Sequence, residues 1–292
     1  MTREVIQALQ PFPQAVRNAV AHFAPVGKIE EIRFRIGRQV QVRTDKRMAP
    51  LPLLVTRPLL DELTDRAAQR SVYAAQQMLQ NGFLILPGGH RLGLCGTAVM
   101  HNGEVQTLRA VSSANLRIAR ELPGIAEDCA GKLWTRPVST LVYGAPGAGK
   151  TTLLRDLIRI LSDRQGKRIS VVDERLELAA CLDGTPQFDL GENSDVLSGV
   201  PKECGIAMLL RSMNPQWIAL DEITAAQDLE AVLRATYCGV RFLATAHAAS
   251  REELYARPLY RQLMQSGIFR NLICIRPDHS VMFEKEESPC SG

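Results

Sequence analysis

Eight consecutive residues near the middle of the chain have the types and spacing of a phosphate-binding loop. They run from Gly144 to Thr151, read Gly-Ala-Pro-Gly-Ala-Gly-Lys-Thr and satisfy the pattern G-x-x-x-x-G-K-[ST]. Glycines let the backbone curl so that successive N–H groups point at phosphate oxygens, and a following helix adds the positive end of its dipole. Lys150 is spaced to reach the β- and γ-phosphates, and the Thr151 hydroxyl to ligate Mg²⁺. The sequence therefore predicts a nucleoside triphosphate site formed by Gly144, Ala145, Pro146, Gly147, Ala148, Gly149, Lys150, Thr151 and Thr152.

The flanking sequence supports this interpretation, because such a loop lies between a strand and a helix. Residues 139–143 form a short run rich in β-forming residues that ends at the loop. Downstream, leucine and isoleucine recur at helical spacing up to Gly166, a residue type that often ends a helix.

Two acidic residues end a later apolar strand pattern. Asp221 closes the run 216–220 and lies 71 positions after Lys150, as expected of an aspartate that holds the Mg²⁺ shell through water. Glu222 follows and is placed to orient and polarise a water for attack on the γ-phosphate. The predicted metal ligands are thus Thr151 and Asp221. The alternative is an acidic pair that caps the helix expected from Ala225 onward, and the two roles are compatible.

Polar residues also end two other strand patterns. Asp173 and Glu174 follow residues 168–172, where they would add a second acidic wall near the metal or the attacking water. The alternative there is a solvated ion-pair cluster with Arg175 and Glu177. His247, at the tip of the pattern 241–245, is placed to report the γ-phosphate by a hydrogen bond, or is a structural histidine.

Length and composition are those of a globular protein with about two domains. The chain has 292 residues, 46% hydrophobic and 23% charged. It has no apolar run of membrane-spanning length and no secretory signal at its start, which predicts a cytoplasmic protein without direct membrane insertion. Seven cysteines are scattered singly, which predicts reduced thiols rather than a disulfide framework or a zinc site.

The chain divides into two modules by pattern. After the loop, strands alternate with helices, which predicts an α/β fold with a parallel sheet in residues 136–284. Before it, alternation in residues 29–44 predicts a hairpin turning near Gly37, followed by a helix around residues 59–78 and further strands. We therefore predict a smaller α+β domain at 1–121, a linker at 122–135 and a disordered tail at 285–292.

The order of these motifs resembles that of the secretion and pilus motor ATPases. Residues 209–223 resemble the arginine-to-proline stretch that leads into the second nucleotide motif of that family, Asp173 corresponds to its acidic box, and residues 229–247 resemble the helix and strand leading to its histidine box. Residues 29–44 and 107–120 resemble its amino-terminal domain. Within the superfamily, residues 31–37 and 172–175 with the short chain resemble most closely the ATPases of stage III of sporulation.

The resemblance implies a P-loop (RecA-like) ATPase core that hydrolyses ATP with Mg²⁺. It also implies a ring of six subunits that energises a trans-envelope channel between mother cell and forespore during endospore formation, with membrane-embedded sporulation channel proteins as partners and a peripheral position at the membrane. In such rings arginines of a neighbour neutralise charge on the γ-phosphate. Candidates are Arg109, Arg117, Arg120 and, inside the core, Arg211, the alternative being ordinary surface arginines.

Two other functions stay open. Residues 1–125 contain 16 Lys and Arg against 9 Asp and Glu, a surplus of +7, whereas residues 126–292 contain 19 against 22, or −3. This surplus would suit a nucleic-acid translocase or loader, although few aromatic residues accompany the arginines, so a nucleic-acid partner is not expected. A scaffold that binds ATP without turnover is the other alternative, and the intact Asp221–Glu222 pair argues against it.

Overall fold

The computed structural model describes residues 1–23, 27–68, 78–135 and 137–285, which form two compact units. Unit 1 comprises Met1–Arg120 with Ala180–Gln187, and unit 2 comprises Glu121–Ala179 with Phe188–Gly292. The return of 180–187 to unit 1 has no signal in the sequence. There, the Gly88 N–H donates to Oε1 of Gln187 at 3.0 Å.

Unit 1 is an antiparallel sheet with short helices, in the strand order β3-β2-β1-β6-β5-β4. Its elements are α1 (Arg3–Leu9), α2 (Gln14–Ala21), β1 (Ile29–Arg35), β2 (Gln39–Thr44), β3 (Met48–Leu54), α3 (Arg57–Ala68), β4 (Phe83–Leu86), β5 (His90–His101) and β6 (Glu104–Arg117).

The predicted hairpin is β1–β2, and it turns at Gly37, whose φ is +74°. Alternation along β1 buries Ile32 and Phe34, and the ring of Phe34 meets that of Phe12 edge to face at 5.9 Å. Helix α3 occupies the first part of the helix predicted around 59–78, and the remainder of that prediction up to residue 77 lies outside the described residues.

Unit 2 is an α/β fold around a seven-stranded sheet in the order β13-β12-β7-β11-β10-β8-β9, parallel except for β13. Its elements are α4 (Glu127–Thr135), β7 (Thr140–Gly144), α5 (Lys150–Gln165), β8 (Ile169–Asp173), β9 (Ser194–Ser198), α6 (Lys202–Ser212), β10 (Trp217–Leu220), α7 (Ala226–Thr236), β11 (Arg241–His247), α8 (Arg251–Ala256), α9 (Pro258–Gln265), β12 (Asn271–Ile275) and β13 (Val281–Lys285).

Strands β7, β8 and β10 are buried along their whole length, as parallel strands covered on both faces are. Their neighbours in the sheet are parallel and in register, so the carboxyl ends of β7, β11, β10 and β8 lie side by side. The loop after β7 leads directly into α5, which packs against β7 and β11. This edge of the sheet is where open α/β folds bind their ligands.

Residues 122–135 are predicted to be a linker, but residues 127–135 form helix α4. That helix buries Cys129, Ala130 and Leu133 and packs against α5, so it belongs to the core of unit 2. Strand β13 extends to Lys285, and the rest of the tail predicted to be disordered lies outside the described residues. Within the described part of the chain, no helix has the length and apolar character needed to cross a bilayer.

Two consecutive side chains of α5 hold the segments of unit 2 that lead to and from unit 1. Oδ2 of Asp156 accepts the N–H groups of Gly124 and Ala126, each at 2.9 Å. The guanidinium of Arg155 donates to the carbonyls of Leu178 at 2.8 Å and Glu177 at 2.9 Å. Both side chains are buried. Helix α5, which begins at the phosphate loop, therefore also holds residues 124–126, where the chain arrives from unit 1, and residues 177–178, where it returns to unit 1.

Gly144 has a packing role that a side chain would disrupt. A Cβ there would lie 2.7 Å from the Ile275 carbonyl oxygen of β12. We expect Gly144→Ala to lower the free energy of unfolding by about 1–3 kcal/mol, because a backbone carbonyl in a ladder cannot move aside. Urea denaturation measures this.

Gly131→Ala is the matched control, because among the described residues no heavy atom beyond the adjoining residues and the helix's own backbone lies within 4 Å of a Cβ at that position in α4. It should raise the free energy of unfolding by about 0.5–1 kcal/mol through helix propensity. Equal stability changes at the two positions would contradict the packing argument.

Candidate nucleotide site

The phosphate loop has the open backbone that anion binding requires. Gly147 and Gly149 have φ values of +77° and +99°, and within the described part of the chain no heavy atom beyond the adjoining residues lies within 4 Å of a Cβ built on either one. Gly149 is the N-cap residue of α5 and has no side chain with which to bond the amides of the first turn. Those amides and the helix dipole are therefore available to a phosphate.

Lys150 is 5% exposed, and its ammonium is fully engaged by the protein. Nζ donates to the carbonyls of Gly144 and Ala145, both at 3.0 Å, and to Nδ1 of His247 at 2.8 Å. An ammonium has three donors, so all of them are used. Burial lowers the pKa of Lys150, while the carboxylates of Glu222 and Asp221 act in the opposite direction. A phosphate at this lysine has to replace at least one of the three bonds.

The bond from Lys150 fixes the tautomer of His247. Because the ammonium can only donate, Nδ1 of His247 must accept, and the ring proton must lie on Nε2. Nε2 contacts Oε1 of Glu222, so the imidazole donates to that carboxylate. The other oxygen, Oε2, accepts from Nη1 of Arg175 at 3.1 Å. Lys150, His247, Glu222 and Arg175 thus form a row of contacts across neighbouring strand ends.

A second set of hydrogen bonds orients Asp221. Thr151 Oγ1 donates to its Oδ2 at 2.9 Å, and Thr245 Oγ1 donates to its Oδ1 at 2.6 Å. The Thr245 hydroxyl also accepts the N–H of Glu222 at 2.8 Å. Glu222 has a φ of +41°, which is uncommon for a residue with a side chain. One buried hydroxyl therefore positions both acidic residues.

The residues present fit Mg²⁺. Hydroxyl and carboxylate oxygens are its preferred donors, and Thr151 and Asp221 bring one of each together beside the loop. Among the residues that the structure describes, no group of three or more His, Cys, Asp or Glu side chains converges as a metal cage. The remaining ligands would come from phosphates and water, which is how Mg²⁺ is held at phosphoryl-transfer sites.

Asp173 and Glu174, the residues of the predicted acidic wall, both have partners within the protein. Asp173 is buried and accepts N–H groups of residues 177–179 at 2.8–3.0 Å. Glu174 forms an ion pair with Lys202, which is 4% exposed and also lies 4.0 Å from Asp228. These carboxylates stabilise the turn after β8 and the start of α6 because buried N–H and ammonium groups there need acceptors. Glu174 therefore has a structural partner in Lys202, and its catalytic role stays a prediction.

Three of the four candidate interface arginines have partners close to them in the same unit. In unit 1, Arg117 lies 3.6 Å from Glu31, Arg120 donates to the Ile29 carbonyl, and Arg109 is exposed on β6. In unit 2, Arg211 donates to the Ala207 carbonyl at 3.0 Å. Their action across a subunit interface stays a prediction.

Sequence reasoning missed two contacts of this site. The hydroxyl of Tyr260 accepts the N–H of His247 at 3.1 Å, and Nδ1 of His279 lies 3.3 Å from the Ala148 carbonyl. Both come from segments far along the chain, α9 and the β12–β13 turn. No local motif marks either residue, so only the fold could reveal them.

Sequence comparison assigns a family to nearly the whole chain. A sequence model described as "Sporulation stage III, protein AA" matches residues 7–281. The chain is 37% identical over 264 residues to Stage III sporulation protein AA of Bacillus subtilis, covering 88% of this chain and 86% of that protein. The resemblance stated from the motifs is thereby confirmed.

Solved structures share the fold. The pilus retraction motor PilT with bound ADP is similar with a TM-score of 0.62 at 17% identity, covering 95% of this chain and 83% of that one. The ATPase DotB of Legionella pneumophila is similar with a TM-score of 0.59 at 16% identity, covering 92% and 77%. The predicted P-loop α/β core preceded by a smaller domain is confirmed as the fold class.

The double role of Thr245 leads to a stability prediction. Thr245→Val removes the acceptor of the Glu222 N–H and the donor to Asp221, so we expect the free energy of unfolding to fall by about 1–3 kcal/mol. Thr245→Ser, which keeps the hydroxyl, should cost less. Urea denaturation of the three proteins measures this, and a valine variant as stable as the serine variant would contradict the role of the hydroxyl.

Proposed function

The chain belongs to the family Sporulation stage III, protein AA, and from this premise we propose that it is a Mg²⁺-dependent ATPase. The observation that carries the proposal is the row Lys150–His247–Glu222 beside the Thr151–Asp221 pair. This row connects Lys150, which would bind the terminal phosphates, with the Glu222 carboxylate, which would activate the attacking water. A set of contacts that only stabilised the fold would need neither an open glycine loop nor a buried ammonium beside that loop.

ATP binding would begin by competition for Lys150. A γ-phosphate oxygen is a stronger acceptor for an ammonium than a neutral imidazole or carbonyl, because the hydrogen bond is doubly charge-assisted. Loss of the Lys150 bond frees Nδ1 of His247, whose ring also contacts Glu222. His247 would in this way report the presence of the terminal phosphate to the hydrolytic carboxylate.

Hydrolysis would then follow a direct route. Glu222 orients a water whose oxygen attacks the γ-phosphorus, the bond from that phosphorus to the bridging oxygen of ADP breaks, and the proton of the water goes to the carboxylate. Mg²⁺ held by Thr151 and Asp221 would neutralise charge on the phosphates. Lys150 would stabilise the charge that develops on the transferred group.

The assembly and cellular role that we propose follow from the family and the fold. The chain would form a ring, with six subunits as the expected number, in which Arg109, Arg117, Arg120 or Arg211 of one subunit faces the nucleotide of its neighbour. It would energise a trans-envelope channel between mother cell and forespore from the cytoplasmic side, docked on membrane-embedded channel proteins. A nucleic-acid role is less favoured, since acidic residues of unit 1 pair with several of its arginines, for example Glu31 with Arg33 at 2.9 Å.

Two substitutions separate binding from hydrolysis. Lys150→Ala should weaken ATP binding about 10- to 100-fold, because charge-assisted bonds to the phosphates are lost. Glu222→Gln should retain ATP binding but lower kcat about 10²- to 10⁴-fold, the usual contribution of a general base. Titration with a fluorescent ATP analogue and a phosphate-release assay measure the two effects. Normal turnover by Glu222→Gln would refute the assignment of the base.

A site shared between subunits predicts a concentration dependence. Phosphate release per subunit should rise with protein concentration until the ring is complete, because arginines of a neighbour are then supplied. Light scattering on the same samples would report assembly. A rate per subunit that stays constant while the protein assembles would place the complete site within one subunit.

A further inference from the structure

Arg175 contacts the proposed catalytic carboxylate, yet no motif assigns it a role. We propose that Arg175 is a positioning residue that restrains the Glu222 carboxylate in a resting orientation and thereby limits basal hydrolysis, an inference that rests on the proposed ATPase function. It contacts neither substrate nor metal in this role and acts through Glu222.

The backbone position of Arg175 is fixed by the two residues that precede it, Asp173 and Glu174. Strand β8 pairs in parallel with β10, so the turn after β8 lies beside the strand end that carries Asp221 and Glu222. Asp173 anchors this turn through three backbone amides, and Glu174 anchors it through the buried Lys202. The backbone at Arg175 is therefore held, while 58% of its side chain is exposed and can move.

The backbone of Glu222 is held just as firmly. Its N–H bonds to the buried hydroxyl of Thr245, and its φ of +41° fixes the direction in which the side chain leaves the strand end. The carboxylate is 18% exposed, with Arg175 at Oε2 and His247 at Oε1. Each carboxylate oxygen can accept a second hydrogen bond, so Glu222 can still hold a water, but donors at both oxygens fix the orientation of the carboxylate and thereby where that water can lie.

The order of the contacts identifies which partner acts as the restraint. The row runs Lys150, His247, Glu222, Arg175, so His247 lies on the side of the lysine that would meet the phosphates, and Arg175 lies at the opposite end. His247 would lose its lysine contact when a phosphate binds. Arg175 would keep its bond, so it opposes the movement of Glu222 in every nucleotide state.

The strength of the pair sets the size of the effect. An ion pair with an exposed guanidinium contributes little, because water and salt screen it. Its loss should therefore change the rate by about two- to fivefold, whereas removal of an arginine that touches the transferred phosphate costs about a thousandfold or more. Removal of a restraining arginine should thus raise kcat slightly, whereas removal of an arginine that contacts the transferred phosphate should lower kcat greatly.

The experiment compares Arg175→Gln with wild type in steady-state phosphate release at saturating ATP and Mg²⁺. We expect kcat to rise about two- to fivefold with KM unchanged, since the lysine and loop are untouched. Arg175→Lys keeps the positive charge and should stay close to the wild-type rate. Arg234→Gln is the matched control, because Arg234 forms an exposed pair with Glu230 at 3.5 Å on α7 and should leave kcat unaltered.

A second background tests whether the effect passes through the carboxylate. In Glu222→Gln protein, which lacks the charge that Arg175 pairs with, adding Arg175→Gln should leave the residual rate unchanged. An unchanged or lowered kcat in the single variant would overturn the inference, and a large fall would place Arg175 on the reacting phosphate instead. A wild-type protein without turnover would refute the proposed function itself, whereas wild-type turnover with no acceleration refutes only the role of Arg175.

Discussion

The buried ammonium of Lys150 is the interaction on which the site depends. It ties two carbonyls at the start of the phosphate loop to the histidine at the end of a neighbouring strand. A buried charge must be paired or hydrogen-bonded, so separation of the loop from β11 would remove one of the three acceptors of this ammonium. Because the same ammonium is the group expected to bind a phosphate, phosphate binding and the hydrogen bonds within the site compete for the three N–H donors of Lys150.

The parallel sheet supplies the second constraint. In-register pairing of β7, β11, β10 and β8 puts loop, histidine, acidic pair and arginine at one edge, although they are up to 103 positions apart in the chain. Thr245 converts this proximity into orientation, since its hydroxyl joins Asp221 to the backbone of Glu222. The strand ends are thus coupled by short polar contacts above a buried apolar core.

The sequence predicts those features that depend on local patterns. The loop, the strands that precede each polar tip and the helix from Lys150 follow from spacing and hydrophobic periodicity alone. The sequence does not predict helix α4, because its few apolar residues are explained only by their packing against α5. It does not predict the partners of Asp173 and Glu174 either, because these are backbone amides and a lysine on a later helix. Likewise, Arg175 could be recognised as charged but not as the neighbour of Glu222, since that depends on strand order.

The segment 180–187 has a consequence for how the protein is made. It completes unit 1 from a position that follows the phosphate loop and α5, as the bond between Gly88 and Gln187 illustrates. During synthesis the first 120 residues leave the ribosome well before this segment does, so the amino-terminal unit stays incomplete while much of the nucleotide-binding half is translated. For the same reason, a single proteolytic cut near residue 120 would release a fragment that lacks part of its own structure.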